Sequence, residues 1–287
     1  MRVVISAAGT GGHINPALAI ANKIKKEEPN SEIVFIGTNR GLENDLVPRA
    51  GYSLKTIEAY GLKKEISFQN FKNVLKTFRS TKEVRNFFEN FKPNLVIGTG
   101  GYICVPVFKV AIQMKIPTIL HESNSYPGRA VKMFAKKVSR VLVGFENTKN
   151  FLQNNNNVVF TGTPTKIKKI NITYTEKNRI FNNLGLNINL PTVLVFGGSQ
   201  GAKKINDSIF GILKNNLNKN YQVIWATGPK QFEIIKKDFE NQKININNIK
   251  NSKIIPYIYN MDEMLNVVDL VICRSGAMTV TEISIVR

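Results

Sequence analysis

His13, His121-Glu122, Ser199-Gln200 and Glu282 are the residues of this 287-residue chain whose types and settings fit chemistry. His13 closes Ala7-Ala8-Gly9-Thr10-Gly11-Gly12, a glycine turn directly after the apolar run Val3-Val4-Ile5-Ser6. A neutral imidazole there can take a proton near pH 7. The same position also suits a helix-start histidine that only bonds backbone. His121-Glu122-Ser123-Asn124 follows the apolar run Thr118–Leu120 and reads either as part of a site or as a polar turn. Ser199 and Gln200 lie in Gly197-Gly198-Ser199-Gln200-Gly201-Ala202, behind Val193–Phe196, and add donors to what reads as a diphosphate cradle. Arg274-Ser275-Gly276-Ala277 repeats that logic ahead of Thr279, Thr281 and Glu282. Glu282 either accepts from ribose hydroxyls or is an exposed helix carboxylate.

The elements that must position these residues are strands ending in glycine turns. Such a turn, with a helix behind it, exposes backbone N–H groups and the positive end of a helix dipole. A further one, Gly98-Thr99-Gly100-Gly101-Tyr102, follows Leu95–Ile97. Turns near the starts of two separate βα stretches predict a pair of Rossmann-like halves facing an anionic ligand. Strands are expected at Val3–Ser6, Ile33–Ile36, Leu95–Ile97, Thr118–Leu120 and Val141–Val143, with helices at about Pro16–Lys26, Phe71–Phe88 and Gly128–Ala135. Asn15-Pro16 reads as a helix start, Asn as N-cap and Pro first in the helix. The polar segment Thr161–Lys177 reads as the connection between domains at 1–162 and 163–287. Strands resume at Thr192–Phe196, Gln222–Ala226, Lys253–Ile255 and Leu270–Cys273. Thr279–Arg287 reads as a helix without a stop signal, so the second domain is expected to be incomplete.

Composition removes several classes. A net charge of +20 favours anionic partners. The lysines are spread along the chain without a nucleic-acid-binding motif, so no nucleic acid is expected. No apolar stretch approaches the roughly 20 residues of a spanning helix. Met1-Arg2 runs straight into a strand, which predicts a cytoplasmic location or one on the cytoplasmic face of a membrane. Cys104 and Cys273 sit beside apolar runs and read as reduced, buried thiols. Two histidines and no zinc spacing predict no metal, and no cofactor is expected. There is no G-x-x-x-x-G-K-[ST] and no D-x-D. A dehydrogenase fits poorly, because the first turn lacks the third glycine and Gly37-Thr38-Asn39-Arg40 lacks the ribose-binding acid. Phe68, Phe71, Leu75 and Phe78 recur near helical spacing beside Lys72, Lys76 and Arg79, which suits either a membrane-facing surface or a core face. Met133–Lys137 is the alternative attachment site.

Seven segments taken together are similar to the MurG family of peptidoglycan N-acetylglucosaminyltransferases, in glycosyltransferase family 28. They are A-G-T-G-G-H-I-N-P-A-L-A at 8–19, G-T-N-R-G-L-E at 37–43, A-G-Y at 50–52, G-T-G-G-Y at 98–102, H-E-S-N at 121–124, G-G-S-Q-G-A at 197–202 and C-R-S-G-A-M-T-V-T-E at 273–282. The resemblance implies an α/β fold of GT-B architecture, two Rossmann-like doubly wound domains with a cleft between them. It implies transfer of GlcNAc from UDP-GlcNAc to the 4-hydroxyl of MurNAc in lipid I, an undecaprenyl-diphosphate acceptor, giving lipid II with inversion and without a metal. A peripheral place on the cytoplasmic face of an anionic membrane follows from the same likeness. Thr10, Gly11, Gly12 and Asn124 then resemble donor contacts, with Gly100, Gly101 and Tyr102 in the acceptor-side loop. Ser199 and Gln200 resemble the phosphate loop, Ile258 the backbone contact to uracil, and Ala277, Met278, Thr279, Val280, Thr281 and Glu282 the ribose and diphosphate stretch. His13 is the candidate base, and Glu122 is a second acid able to take that role. Lys166 stands where the family has arginine, Cys104 where it has serine, and Ser123 where it has glutamine. The alternatives are another GT-B transferase acting on a lipid acceptor, or a nucleotide-sugar-binding scaffold protein.

Overall fold

The computed structural model describes residues 1–60, 68–152 and 156–286, the side chains of 68–78 excepted. The chain divides into two compact units, Met1–Lys166 and Ile167–Arg287. The first unit alternates β1 (Arg2–Ser6), α1 (Gly11–Glu27), β2 (Glu32–Gly37), α2 (Glu43–Arg49), β3 (Ser53–Thr56), α3 (Phe68–Phe91) and β4 (Leu95–Gly98). It continues with α4 (Cys104–Gln113), β5 (Thr118–Glu122), α5 (Arg129–Phe134), β6 (Arg140–Val143) and β7 (Val158–Phe160). Among the described residues its strands form one parallel sheet, β3-β2-β1-β4-β5-β6-β7. The order reverses between β1 and β4, the switch point of a doubly wound sheet, where such folds receive ligands.

The second unit follows the same plan with α6 (Tyr174–Leu184), β8 (Thr192–Phe196), α7 (Lys203–Lys214), β9 (Gln222–Ala226), α8 (Pro229–Asn241), β10 (Ser252–Ile255), α9 (Met261–Val267), β11 (Leu270–Cys273) and α10 (Ala277–Val286). Its strands are parallel in the order β10-β9-β8-β11, with the switch point between β8 and β11. Alternate residues of β8 serve opposite faces. Leu194 and Phe196 join a core with Ile180 and Phe181, while Val195 joins Trp225, Ile209 and Phe239. Burial of both faces explains why the strands read as continuous apolar runs.

Several sequence expectations need correction. α1 begins at Gly11 and carries Pro16 inside it, with Thr10 as N-cap, so Asn15-Pro16 is not the helix start. The glycine turn itself winds into the first helical turn, Ile14 N–H donating to Thr10 O at 3.2 Å. His121 and Glu122 are the last residues of β5, not a turn beyond it. β3 and β7 escape an apolar-run reading because they are short, lie at the sheet edges and are partly exposed. The Thr161–Lys177 segment is partly structured: Ile167 is buried in the second unit's core, and Thr173 caps α6 through a reciprocal Thr–Glu176 box. Cys104 is buried, whereas Cys273 is partly exposed. Phe68, Phe71, Lys72, Leu75, Lys76 and Phe78 fall on α3, and their side chains lie outside the described residues; Arg79 is exposed. No described helix is long and apolar enough to cross a membrane.

Candidate active site

The two glycine turns of the first unit follow β1 and β4, neighbours across the switch point, and they meet around His13. His13 is half-buried in the first turn of α1, and Thr99 Oγ1 donates to its backbone carbonyl at 2.7 Å. Gly100 and Gly101 wall its ring. A Cβ at Gly100 would lie 3.2 Å from Cδ2, and one at Gly101 3.3 Å from Nδ1. Nδ1 faces Ala8 O at 3.4 Å; a carbonyl can only accept, so Nδ1 carries the proton and Nε2 the lone pair. Burial pushes the His13 pKa below 6.5, against the pull of the Ala8 carbonyl and the Glu122 charge. The neutral imidazole is therefore the favoured form at pH 7.

His13, Glu122, Asn124, Gly100, Gly101 and Tyr102 share one cavity of about 630 Å³, with Val105, Pro106, Val131 and Met133 on its apolar side. Glu122 is buried and works on its own loop. Its Oε1 accepts from Asn124 N at 2.9 Å and Asn124 Nδ2 at 2.8 Å, and Oε2 accepts from Gly128 N at 2.7 Å. That carboxylate holds Asn124 at the cavity wall. His121 points elsewhere: Nε2 donates to Gly162 O at 3.2 Å and Nδ1 accepts from Ser123 Oγ at 3.3 Å. It is fully buried, its pKa is lowered by that burial, and it stitches β5 to the segment after β7. The His-Glu pair therefore splits into a structural histidine and a loop-ordering acid.

In the second unit, the Gly197–Ala202 turn after β8 and the Arg274–Gly276 turn after β11 flank the switch point. A Cβ on Gly198 would lie 3.2 Å from Arg274 Nη2, so the guanidinium stands over that turn. Gly201 has φ +76°, and a Cβ there would lie 2.1 Å from Thr227 O, so only glycine fits. Ser199 and Gln200 are partly exposed in this turn. Ile258 is buried in the core, and Ala277 opens α10. Thr281 Oγ1 donates to Ala277 O at 3.0 Å, Met278 is buried, Thr279 is partly exposed and Val280 is exposed. Glu282 is buried, which removes the exposed-carboxylate reading. Thr10 is partly exposed beside Gly11 and Gly12, and Lys166 is exposed at the end of the first unit. Among the described residues no group of three His, Cys, Asp or Glu side chains is arranged to hold a metal ion.

Sequence reasoning quoted Glu43 and Arg274 without a role and passed over Asn206. Glu43 is fully buried under the first turn. The available signal was Gly37 and Gly41 around it: a Cβ on either would lie 2.7 Å and 2.0 Å from its Cγ and Oε2.

Two parallel sheets, each with glycine turns at its switch point, define a protein of two Rossmann-like α/β domains, and the comparisons give its family. Residues 3–143 match the glycosyltransferase family 28 N-terminal domain and residues 192–287 its C-terminal domain. A UDP-N-acetylglucosamine–N-acetylmuramyl-(pentapeptide) pyrophosphoryl-undecaprenol N-acetylglucosamine transferase of Acetivibrio thermocellus is 42% identical over 286 residues, 99% of this chain and 75% of that one. The enzyme of the same name in Clostridioides difficile is 41% identical, over 99% of this chain and 68% of that one. The fold is similar to that of Acinetobacter baumannii MurG, at TM-score 0.60 and 24% identity over 98% of this chain and 75% of the other. It is also similar to the UDP-GlcNAc 2-epimerase of Neisseria meningitidis, at TM-score 0.60 and 15% identity over 97% and 78%. This chain belongs to the MurG family of glycosyltransferases.

Proposed function

We propose that the protein transfers N-acetylglucosamine from UDP-N-acetylglucosamine to the 4-hydroxyl of N-acetylmuramic acid on an undecaprenyl-diphosphate lipid, converting lipid I to lipid II in peptidoglycan synthesis. Transfer proceeds with inversion, by one displacement at the anomeric carbon, and without a metal. The observation that carries this reading is His13: neutral, walled by two glycines, with Nε2 unprotonated at a cavity shared with Asn124 and Tyr102. His13 takes the hydroxyl proton as the glycosidic bond forms. The acceptor sugar occupies the first unit's cavity, between His13 and the apolar side chains. The second unit holds UDP, with Ser199, Gln200 and the start of α10 at the diphosphate and ribose, and Ile258 at the base. Amides of these turns, with Arg274, stabilise the departing diphosphate. Thr10, Gly11, Gly12, Asn124 and Lys166 complete the donor contacts.

The same reading brings the first unit to an anionic membrane surface. Tyr126, Met133 and Phe151 are 62%, 54% and 48% exposed, and Tyr126 meets Phe151 edge-on at 5.0 Å. Lys132 Nζ sits 3.8 Å from the Tyr126 ring, with Arg129, Lys136 and Lys137 exposed nearby. Apolar side chains ringed by cations suit a headgroup layer. Met133 also lines the cavity, which brings the lipid's attachment and its sugar's site together.

The test is transfer kinetics with lipid I. His13→Ala lowers kcat by roughly two orders of magnitude or more. An unchanged kcat with a raised KM reduces His13 to a binding residue. Calorimetry with UDP-GlcNAc, NADH and ATP separates a transferase from a dinucleotide enzyme, and binding without turnover supports a scaffold instead.

A further inference from the structure

The buried Glu43 lies one peptide group away from His13. Its Oε2 accepts from Gly9 N–H at 2.8 Å, and the carbonyl of that same peptide, Ala8 O, faces His13 Nδ1 at 3.4 Å. Its Oε1 is fixed separately, by Thr38 N at 2.9 Å and Thr38 Oγ1 at 2.7 Å. In a trans peptide the N–H and C=O point opposite ways, so carboxylate, peptide and imidazole follow one another in a line. Gly9 permits this: its φ is +92°, and nothing lies within 4 Å of where its Cβ would stand. Glycine is needed there to turn the peptide, not to make space.

Resting on the reading of His13 as the base, we propose that Glu43 is a positioning residue that acts on His13 through the Ala8–Gly9 peptide. A carboxylate accepting from an amide N–H polarises the amide and makes its carbonyl a stronger acceptor. The proton each imidazole nitrogen carries is set by the bond the other makes. Glu43 thereby holds His13 with Nδ1 protonated and Nε2 facing the cavity as a base. No proton crosses the peptide; the carboxylate fixes orientation and tautomer. The arrangement does for His13 what a directly bonded carboxylate does for a histidine in a catalytic triad, with a peptide inserted.

The chain has only two histidines, and the second supplies the control. His121 donates from Nε2, so it is the opposite tautomer. Nitrogen-15 NMR of the wild-type protein at pH 7.5, assigned with His121→Gln, is expected to show one imidazole protonated at Nδ1 and the other at Nε2. An Nε2-protonated His13 overturns the proposal, and this needs no Glu43 variant to fold. In Glu43→Gln the His13 signals move toward a mixture of tautomers while those of His121 stay. In the same variant kcat falls roughly tenfold, well short of the about 10⁴-fold lost with a triad carboxylate, and KM for UDP-GlcNAc is unchanged. Thr38→Val removes a donor to Oε1 only; it lowers the melting temperature and leaves the His13 tautomer as it was. If Glu43→Gln lowers the melting temperature but leaves tautomer and kcat unmoved, Glu43 is a structural plug. Should His13 prove dispensable for transfer, the tautomer measurement still decides whether the relay exists, so the two ideas fail separately.

Discussion

The Gly9–Gly12 and Gly197–Ala202 turns look alike in sequence, yet their surroundings differ in charge. Under the Gly9–Gly12 turn sits a carboxylate, Glu43, already bonded to Gly9 N–H. Behind the Gly197–Ala202 turn, in the first turn of α7, is a neutral amide, Asn206, 2% exposed, whose backbone N–H donates to Ala202 O at 2.9 Å. Asn206 Nδ2 donates to Thr227 O and to Gln231 Oε1, each at 2.8 Å, and Oδ1 accepts from Trp225 Nε1 at 3.0 Å. A guanidinium, Arg274, stands over this second turn, and an imidazole ends the first. A buried negative charge beside one turn and a cation beside the other separate two tasks. The Gly9–Gly12 turn suits proton handling; the Gly197–Ala202 turn suits a diphosphate. Glycine spacing alone carries no such information, because the charge is brought by residues distant in sequence.

Making the neutral anchor resemble the charged one is the most severe test. Asn206→Asp puts an acceptor where two acceptors, Thr227 O and Gln231 Oε1, need a donor. The second unit is expected to lose about 3 kcal/mol of stability from the broken bonds and the buried charge. UDP-GlcNAc affinity is expected to fall about tenfold, about 1.4 kcal/mol, as negative charge approaches the diphosphate. Calorimetry and Trp225 fluorescence read these out, since Trp225 is the only tryptophan and is buried in this unit. Undiminished affinity in a folded variant breaks the proposed division of labour.

Acid should distinguish the units more gently. Both histidines lie in the first unit, and burial holds both pKa values below 6.5. The unfolded chain therefore binds protons more readily than the folded one. The histidines cost no stability above about pH 6.5 and destabilise progressively as pH falls below it. For the fully buried His121 the slope is at most about 1.4 kcal/mol per pH unit. Circular dichroism melts at pH 7.5 and 5.5 should show the first unit's transition falling further than the one seen by Trp225. His121→Gln should remove much of that difference. Coincident shifts in both probes would mean that the comparison by unit does not hold.

What was legible in the sequence was whatever depends on near neighbours. Apolar runs such as Val193–Phe196 gave strands because both faces of the sheet are covered, and the glycine turns behind them marked both switch points. Longer-range facts stayed hidden. Gly9 and Glu43 are 34 residues apart, and neither residue type announces a buried bond to the other. Asn15-Pro16 misled because local helix-start preference yielded to a turn that begins winding at Thr10. The fate of His121-Glu122 was equally unreadable, since alternation along β5 sends adjacent side chains to opposite faces.

The smallest effect expected concerns the cysteines, one in each unit. Cys104 Sγ lies between Ser6 Oγ and Gly100 O, both at 3.2 Å, and burial pushes its pKa up to about 11. Cys273 is the last residue of β11 and is partly exposed, its pKa raised by partial burial. Only the thiolate reacts readily, so both are slow at pH 7, and access decides between them. Maleimide labelling followed by peptide mass spectrometry is expected to modify Cys273 in the native protein, and Cys104 only when the first unit opens. Because Gly100 also walls His13, labelling of Cys104 would report loss of the geometry around the base. Fast labelling of Cys104 in the native state would mean that the Gly98–Tyr102 turn, which walls His13, is loosely held, and the reading of the first unit as the one with fixed proton-handling geometry would lose support.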